Sequence, residues 1–217
     1  MVNWQSINTL LLDMDGTLLD LYYDNHFWLE FLPQRYAETH GIEKHQAHEL
    51  LVKRFSETKG TLNWYCVDFW SNELGVDIAA LKYEIKHLIK IRPYVEDFLN
   101  QMQDHHPQVV LVTNAHRKSL SLKLEATGLA PLFDQIVSSH DFNKPKEDVT
   151  FWSDLQQIVP YDPASTLLID DSLAVLRSAQ SFGIQYLLTM HQPDSQQAKR
   201  EIDEFPGILH FDEIMPK

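Results

Sequence analysis

The 217-residue chain predicts an α/β fold: a Rossmann-like, doubly wound parallel sheet with an inserted all-helical segment. Three observations predict it. Short apolar runs of strand length alternate with amphipathic stretches of helix length, the pattern of a parallel sheet covered on both faces. One gap between such runs, from Asp20 to about Arg92, holds only helical patterning. The first run, Leu10 to Leu12, is cut by Asp13-Met14-Asp15-Gly16-Thr17, as a buried strand ending in a loop would be.

The elements follow in order. Residues 7–13 read as the first strand. The long gap divides into amphipathic runs, Asn25 to Tyr36, His45 to Thr58, Leu62 to Leu74 and Ile78 to Ile91, punctuated by Gly41, Gly60 and Gly75 as at helix ends. After Pro93, a helix over Tyr94 to Gln103 puts Val95, Phe98, Leu99 and Met102 on one face. Strands are expected at Gln108 to Val112, Ile136-Val137, Thr166 to Ile169 and Gln185 to Thr189. Helices are expected over Arg117 to Thr127, through Phe151 to Ile158, and over Leu173 to Phe182. The tail from Gln192 is polar and turns apolar again only at Ile208 to Ile214. The expected organisation is a core from residues 1–19 and 93–217 and a helical segment from 20–92.

Composition narrows the function. Hydrophobic residues make up 44% of the chain, so a sizeable core is available. The net charge of −13 opposes binding to nucleic acid polymers or anionic membranes. It leaves room for a small phosphorylated substrate held by a cation and a few lysines. The single cysteine, Cys66, rules out an intrachain disulfide, and neither a signal peptide nor a run of ~18 apolar residues is visible. The cytoplasm is the expected location; the oligomeric state is not readable.

The chemistry lies at the strand ends. Asp13 and Asp15 follow the first strand, where ligands of open α/β sheets bind. Two acids there are costly to desolvate unless a hard cation such as Mg²⁺ joins them. Thr113-Asn114 end the second strand, and a hydroxyl, an amide and the N–H groups of a strand-to-helix turn can hold phosphate oxygens. Asp170-Asp171 follow the Leu-Leu-Ile run and would complete an oxygen cage for the cation. Thr113 and Ser172 can also be read as helix caps.

Together these stretches resemble motifs I, II and IV of the haloacid dehalogenase superfamily of aspartate-nucleophile phosphotransferases, and the helical segment resembles the cap of its subfamily I. The resemblance implies a motif III lysine. Lys144 precedes a proline, but the Pro-Lys-Glu-Asp order and the distance onward to Asp170 align better with Lys146, so Lys144 is the reserve. It further implies that Asp13 is the nucleophile, Asp15 the acid and base, and Asp13, Asp171, Asp170 and the main chain at Asp15 the Mg²⁺ site. Asp15 argues against a dehalogenase, which needs no acid there.

The finer resemblance is to the bacterial GMP/IMP nucleotidase group, carried by residues 11–20, Thr-Leu-Asn-Trp-Tyr-Cys (61–66), Leu-Val-Thr-Asn-Ala-His (111–116), Pro-Lys-Glu-Asp (145–148) and Ile-Asp-Asp-Ser (169–172). It implies hydrolysis of purine nucleoside 5′-monophosphates; the alternative is a phosphatase or mutase acting on sugar phosphates or pyrimidine nucleotides. Trp64, Tyr65, Phe69 and Trp70 crowd one stretch with Asn63 and Asp68. Most of these aromatics read as cap core; Trp64 is the expected base-stacking residue, with Asn63 or Asp68 reading the base edge. Arg92 and His116 lie near motif boundaries and read as linker or surface residues.

Overall fold

A computed structural model describes residues 2–105 and 107–216. The sheet has six parallel strands in the order β3-β2-β1-β4-β5-β6, with β1 (Thr9–Leu12) near its centre. β2 (Gln108–Thr113) lies on one side of β1 and β4 (Thr166–Ile169) on the other. The winding therefore reverses at β1, and ligands of such sheets bind at the carboxyl ends of the strands at this switch point. In this register Leu12 pairs with both Leu111 and Ile169, so Asp13 and Asp170 emerge side by side.

The two faces are read out with a period of two. Leu10, Leu12, Val109, Leu111, Leu167 and Ile169 pack on one side with Phe98, Met102 and Leu120. Leu11, Val110, Val112 and Leu168 pack on the other with Phe151, Trp152, Leu155 and Leu176. The first layer holds α7 (Val95–His105) and α8 (Arg117–Thr127); the second holds α9 (Val149–Ile158) and α10 (Leu173–Phe182). β3 (Gln135–Ser138) and β5 (Tyr186–Met190) flank the inner strands.

Between Leu19 and Ile91 the chain forms only helices and turns: α1 (Tyr22–His26), α2 (Leu32–His40), α3 (Lys44–Thr58), α4 (Leu62–Tyr65), α5 (Val67–Leu74) and α6 (Ile78–Glu84). They enclose their own core around Phe27, Leu51, Phe55, Trp70 and Ile78. Entry and exit run side by side: Leu19 bridges Ile91, Asp20 N–H donates to Lys90 O at 2.9 Å, and Arg92 N–H donates to Leu18 O at 2.9 Å.

Several expected elements differ, each for a local reason. The run Asn25 to Tyr36 is interrupted by a π turn over Phe27–Phe31. Pro33 has no N–H for the carbonyl of Leu29, and its ring crowds that carbonyl. The run Leu62 to Leu74 is two helices broken at Cys66, which is extended and accepts the Phe69 N–H on Sγ at 3.4 Å. The run Ile78 to Ile91 ends at Glu84 and continues as a 3-10 turn over Lys86–Leu88. Tyr94 has φ of 65° and so precedes the helix that begins at Val95. The tail adds β6 (Gly207–Ile208), parallel to β5, and a 3-10 turn at Phe211–Ile214. Among the described residues, no helix is long and apolar enough to cross a membrane.

Candidate active site

Three carboxylates converge at the switch point. One oxygen each from Asp13, Asp170 and Asp171 lies within 4.8 Å of the others. Lys146, 1% exposed, reaches them from the loop before α9. Its ammonium donates to Asp13 Oδ1 at 2.5 Å, to Asp170 Oδ2 at 2.7 Å and to Val112 O at 3.0 Å. Burial pushes the Asp13 carboxyl up to about 6; Lys146 opposes this and Asp170 adds to it. Burial also raises Asp170 and, strongly, Asp171, beside the charges of Asp13 and Asp170. One lysine thus faces three crowded acids, a charge imbalance that a hard divalent cation on oxygen ligands would relieve. The donor set fits Mg²⁺.

The loop after β1 is shaped for this packing. Gly16 has φ of +87°, and a Cβ there would stand 2.7 Å from Asp171 Cγ. Only glycine suits both the left-handed backbone and the contact. Gly16 N–H donates to Leu19 O at 2.8 Å, closing the loop. Within it the Thr17 hydroxyl is buried without a partner. Arg200, in the polar tail, donates to Asp171 O at 2.9 Å and Met190 O at 2.7 Å, bracing the end of β4.

Asp15 turns away from the three acids to Lys123 of α8, a residue with no signal in the sequence beyond a helical lysine. Lys123 is 1% exposed. It donates to Asp15 Oδ1 at 2.7 Å and to Asp24 Oδ2 at 2.6 Å. Lys82 of α6 donates to the other oxygen of Asp24 at 2.8 Å and lies 4.5 Å from the Phe27 ring centroid. A buried chain of alternating charge, Lys82-Asp24-Lys123-Asp15, therefore runs from the helical segment to the loop after β1. Burial pushes Asp15 up to about 6, against Lys123 and with help from Asp24 and Asp13. Burial also acts to raise Asp24, but its two lysines outweigh it and hold that carboxyl at about 2.

The other expected residues are placed unevenly. Thr113 is buried, and its Oγ1 accepts the Ala115 N–H at 3.0 Å. The helix cap expected of it is made instead by His116, whose Nδ1 accepts the Lys118 N–H. Asn114 orders the lysine loop: its Oδ1 accepts Lys146 N–H at 2.9 Å and its Nδ2 donates to Glu147 Oε2 at 2.9 Å. Glu147 also accepts the Tyr65 hydroxyl at 2.6 Å, tying the helical segment to the core. Burial keeps that phenol protonated, with Glu147 adding to the effect.

Lys144, the reserve to Lys146, pairs with Asp154 of α9 at 2.5 Å. Trp64 stands in the aromatic core, its ring centroid 5.8 Å from Phe55, and its carbonyl accepts from Trp70. Asp68 is taken by Lys118 at 2.6 Å, and Asn63 is exposed. Arg92, expected as a linker or surface residue, is buried instead. It is 6% exposed and donates to the carbonyls of Gln192, Pro193 and Leu209, because three main-chain acceptors of the tail converge on it.

The fold and this constellation have counterparts. Residues 10–189 match the model of the haloacid dehalogenase-like hydrolases. The chain belongs to that family. It is 38% identical, over 99% of its length and 97% of the relative's, to GMP/IMP nucleotidase YrfG of Escherichia coli (strain K12). Among solved structures, it superposes on a haloacid dehalogenase-type phosphatase from Thermococcus onnurineus with a TM-score of 0.80, at 22% identity over 96% of both chains. It also matches the hydrolase YfnB of Bacillus subtilis, solved bound to magnesium, with a TM-score of 0.65 at 22% identity over 96% of both chains. Like other haloacid dehalogenase-like hydrolases the chain is an enzyme, and its parallel sheet is the fold of that family.

Proposed function

We propose that this enzyme is a Mg²⁺-dependent phosphatase hydrolysing purine nucleoside 5′-monophosphates, GMP or IMP, through an aspartyl-phosphate on Asp13. The observation that carries the chemistry is the junction of Asp13, Lys146 and Asp170 within a cluster of three acids. The substrate rests on the likeness to YrfG over nearly the whole chain.

Asp13 attacks phosphorus; an Oδ–P bond forms and the P–O5′ bond breaks. Asp15 gives its proton to the departing 5′-oxygen, then takes one from the water that cleaves the acyl phosphate and frees inorganic phosphate. Held near 6, Asp15 can do both at neutral pH. Lys146 keeps Asp13 ionised despite its burial and offers positive charge to the transferring oxygens. Asp13, Asp170 and Asp171, with the main chain at Asp15, would hold Mg²⁺, which supplies the charge that lets Asp13 meet a dianionic ester. Thr113 and the N–H groups after β2 are assigned to the phosphate. Trp64 is left to the cap interior.

The test is phosphate release with Mg²⁺ across nucleoside monophosphates and hexose phosphates. GMP and IMP are expected to give the highest kcat/KM, and Asp13→Asn no measurable turnover. A hexose phosphate in first place would overturn the substrate, and turnover by Asp13→Asn would overturn the mechanism.

A further inference from the structure

A second cluster of ligating side chains lies at the seam between the helical segment and the core, apart from the acids. Cys66 sits at the break between α4 and α5; His116 follows the end of β2; His140 follows β3. Residues from three distant stretches thus bring the Cys66 sulfur and one nitrogen of each imidazole within 4.8 Å of one another. The two rings meet edge to face with centroids 4.9 Å apart. The Nε2 of His140 is buried without a partner. A buried imidazole nitrogen with no partner is costly, and a metal ion is one group that would satisfy it.

We propose that Cys66, His116 and His140 form a site for a borderline-soft transition ion, Zn²⁺ above all, that clamps the helical segment to the core. One sulfur and two nitrogens suit Zn²⁺ and reject Mg²⁺, the reverse of the oxygen-only cluster at Asp13. Tetrahedral bonds of the usual length need ligand atoms about 3.3–3.6 Å apart, so small side-chain rotations close the site. Burial lowers both histidines, which keeps them neutral and able to ligate. Binding forms a metal–sulfur bond and releases the thiol proton to solvent, with no change of oxidation state. The weak bond from Lys118 N–H to His116 Nδ1, 3.3 Å long, is given up if the proton moves to that nitrogen. The fourth position falls to water or to Asp68, whose Oδ2 lies 3.8 Å from His116 Nε2. The site does not depend on which phosphate ester is hydrolysed.

Co²⁺ serves as the visible probe, added to the metal-free full chain with Mg²⁺ in excess. One equivalent should produce tetrahedral absorption with a thiolate charge-transfer band, displaced by Zn²⁺. Zn²⁺ at a hundredfold excess over its Kd should raise Tm by about 5 °C or more. Cys66→Ser should abolish the band and the shift, His140→Gln should weaken both at least tenfold in affinity, and Asp170→Asn should leave the band in place. No band in the wild-type chain, a band that survives Cys66→Ser, or one lost in Asp170→Asn would overturn the proposal.

Discussion

Lys123 donates to two carboxylates at once, and one of them is Asp15. Its charge lowers Asp15, so its removal should raise that carboxyl further. Lys123→Met is expected to move the alkaline limb of kcat/KM to higher pH and to cut kcat about ten- to hundredfold through loss of orientation. A pH–rate profile checks both; an unmoved limb would mean that Lys123 acts on packing alone. Gly16→Ala is a second case. The left-handed backbone costs ~1–2 kcal/mol for alanine, and the added carbon must displace the Asp171 carboxylate. Mg²⁺ affinity, measured by calorimetry, should fall about tenfold or more. At this scale the sequence was unevenly legible. Asp13, Lys146 and Asp170 stood out because each sits beside a strand end or a proline-bounded loop. Lys123 did not, because a lysine in an amphipathic helix normally faces water, and its partner Asp24 lies 99 residues away.

The short helices α4 and α5 show what decides a local break. Their combined run is apolar enough to read as one helix, yet Cys66 leaves the helical region and lets Tyr65 point to the core. No periodicity argument detects such a break, because the residues on both sides keep helical spacing. The π turn before α2 was detectable, since Pro33 lies inside the run. The Tyr65-Glu147 contact is a hydrogen bond to a charged acceptor, worth about 1.5–3 kcal/mol when half-buried and well formed. Tyr65→Phe should therefore lower Tm, and a double-mutant cycle with Glu147→Gln should return a coupling of roughly that size. Unfolding by urea gives the four stabilities needed.

For the molecule as a whole, the crowded acids should make stability depend on pH and, under the proposed function, on Mg²⁺. Asp13 and Asp15 are raised to about 6. Their protonated forms favour the fold, a contribution present below the unfolded value near 3.8 and lost as pH rises through about 6. Asp24 runs the other way: its contribution is present above 3.8 and disappears as pH falls through about 2. Without metal, Tm should decline between about pH 4 and about pH 7. Mg²⁺ should restore it near pH 7.5 and do little near pH 5, where a proton competes for Asp13. Thermal scans with Mg²⁺ or a chelator at the two values test this. The parallel sheet was legible from the alternation of strands and helices, but its strand order was not, because shared strand ends do not say which strands are neighbours. The tail was not, because Arg92 and Arg200 anchor it through main-chain carbonyls that no side-chain pattern reports.

The adjoining main chains at Leu19 and Ile91 have an evolutionary meaning. A block whose two ends already touch can be excised and another grafted in its place without stretching a neighbouring strand. A grafted block would leave Asp13, Lys146, Asp170 and Asp171 in place beneath it, but would have to supply its own partner for Lys123 where Asp24 now stands.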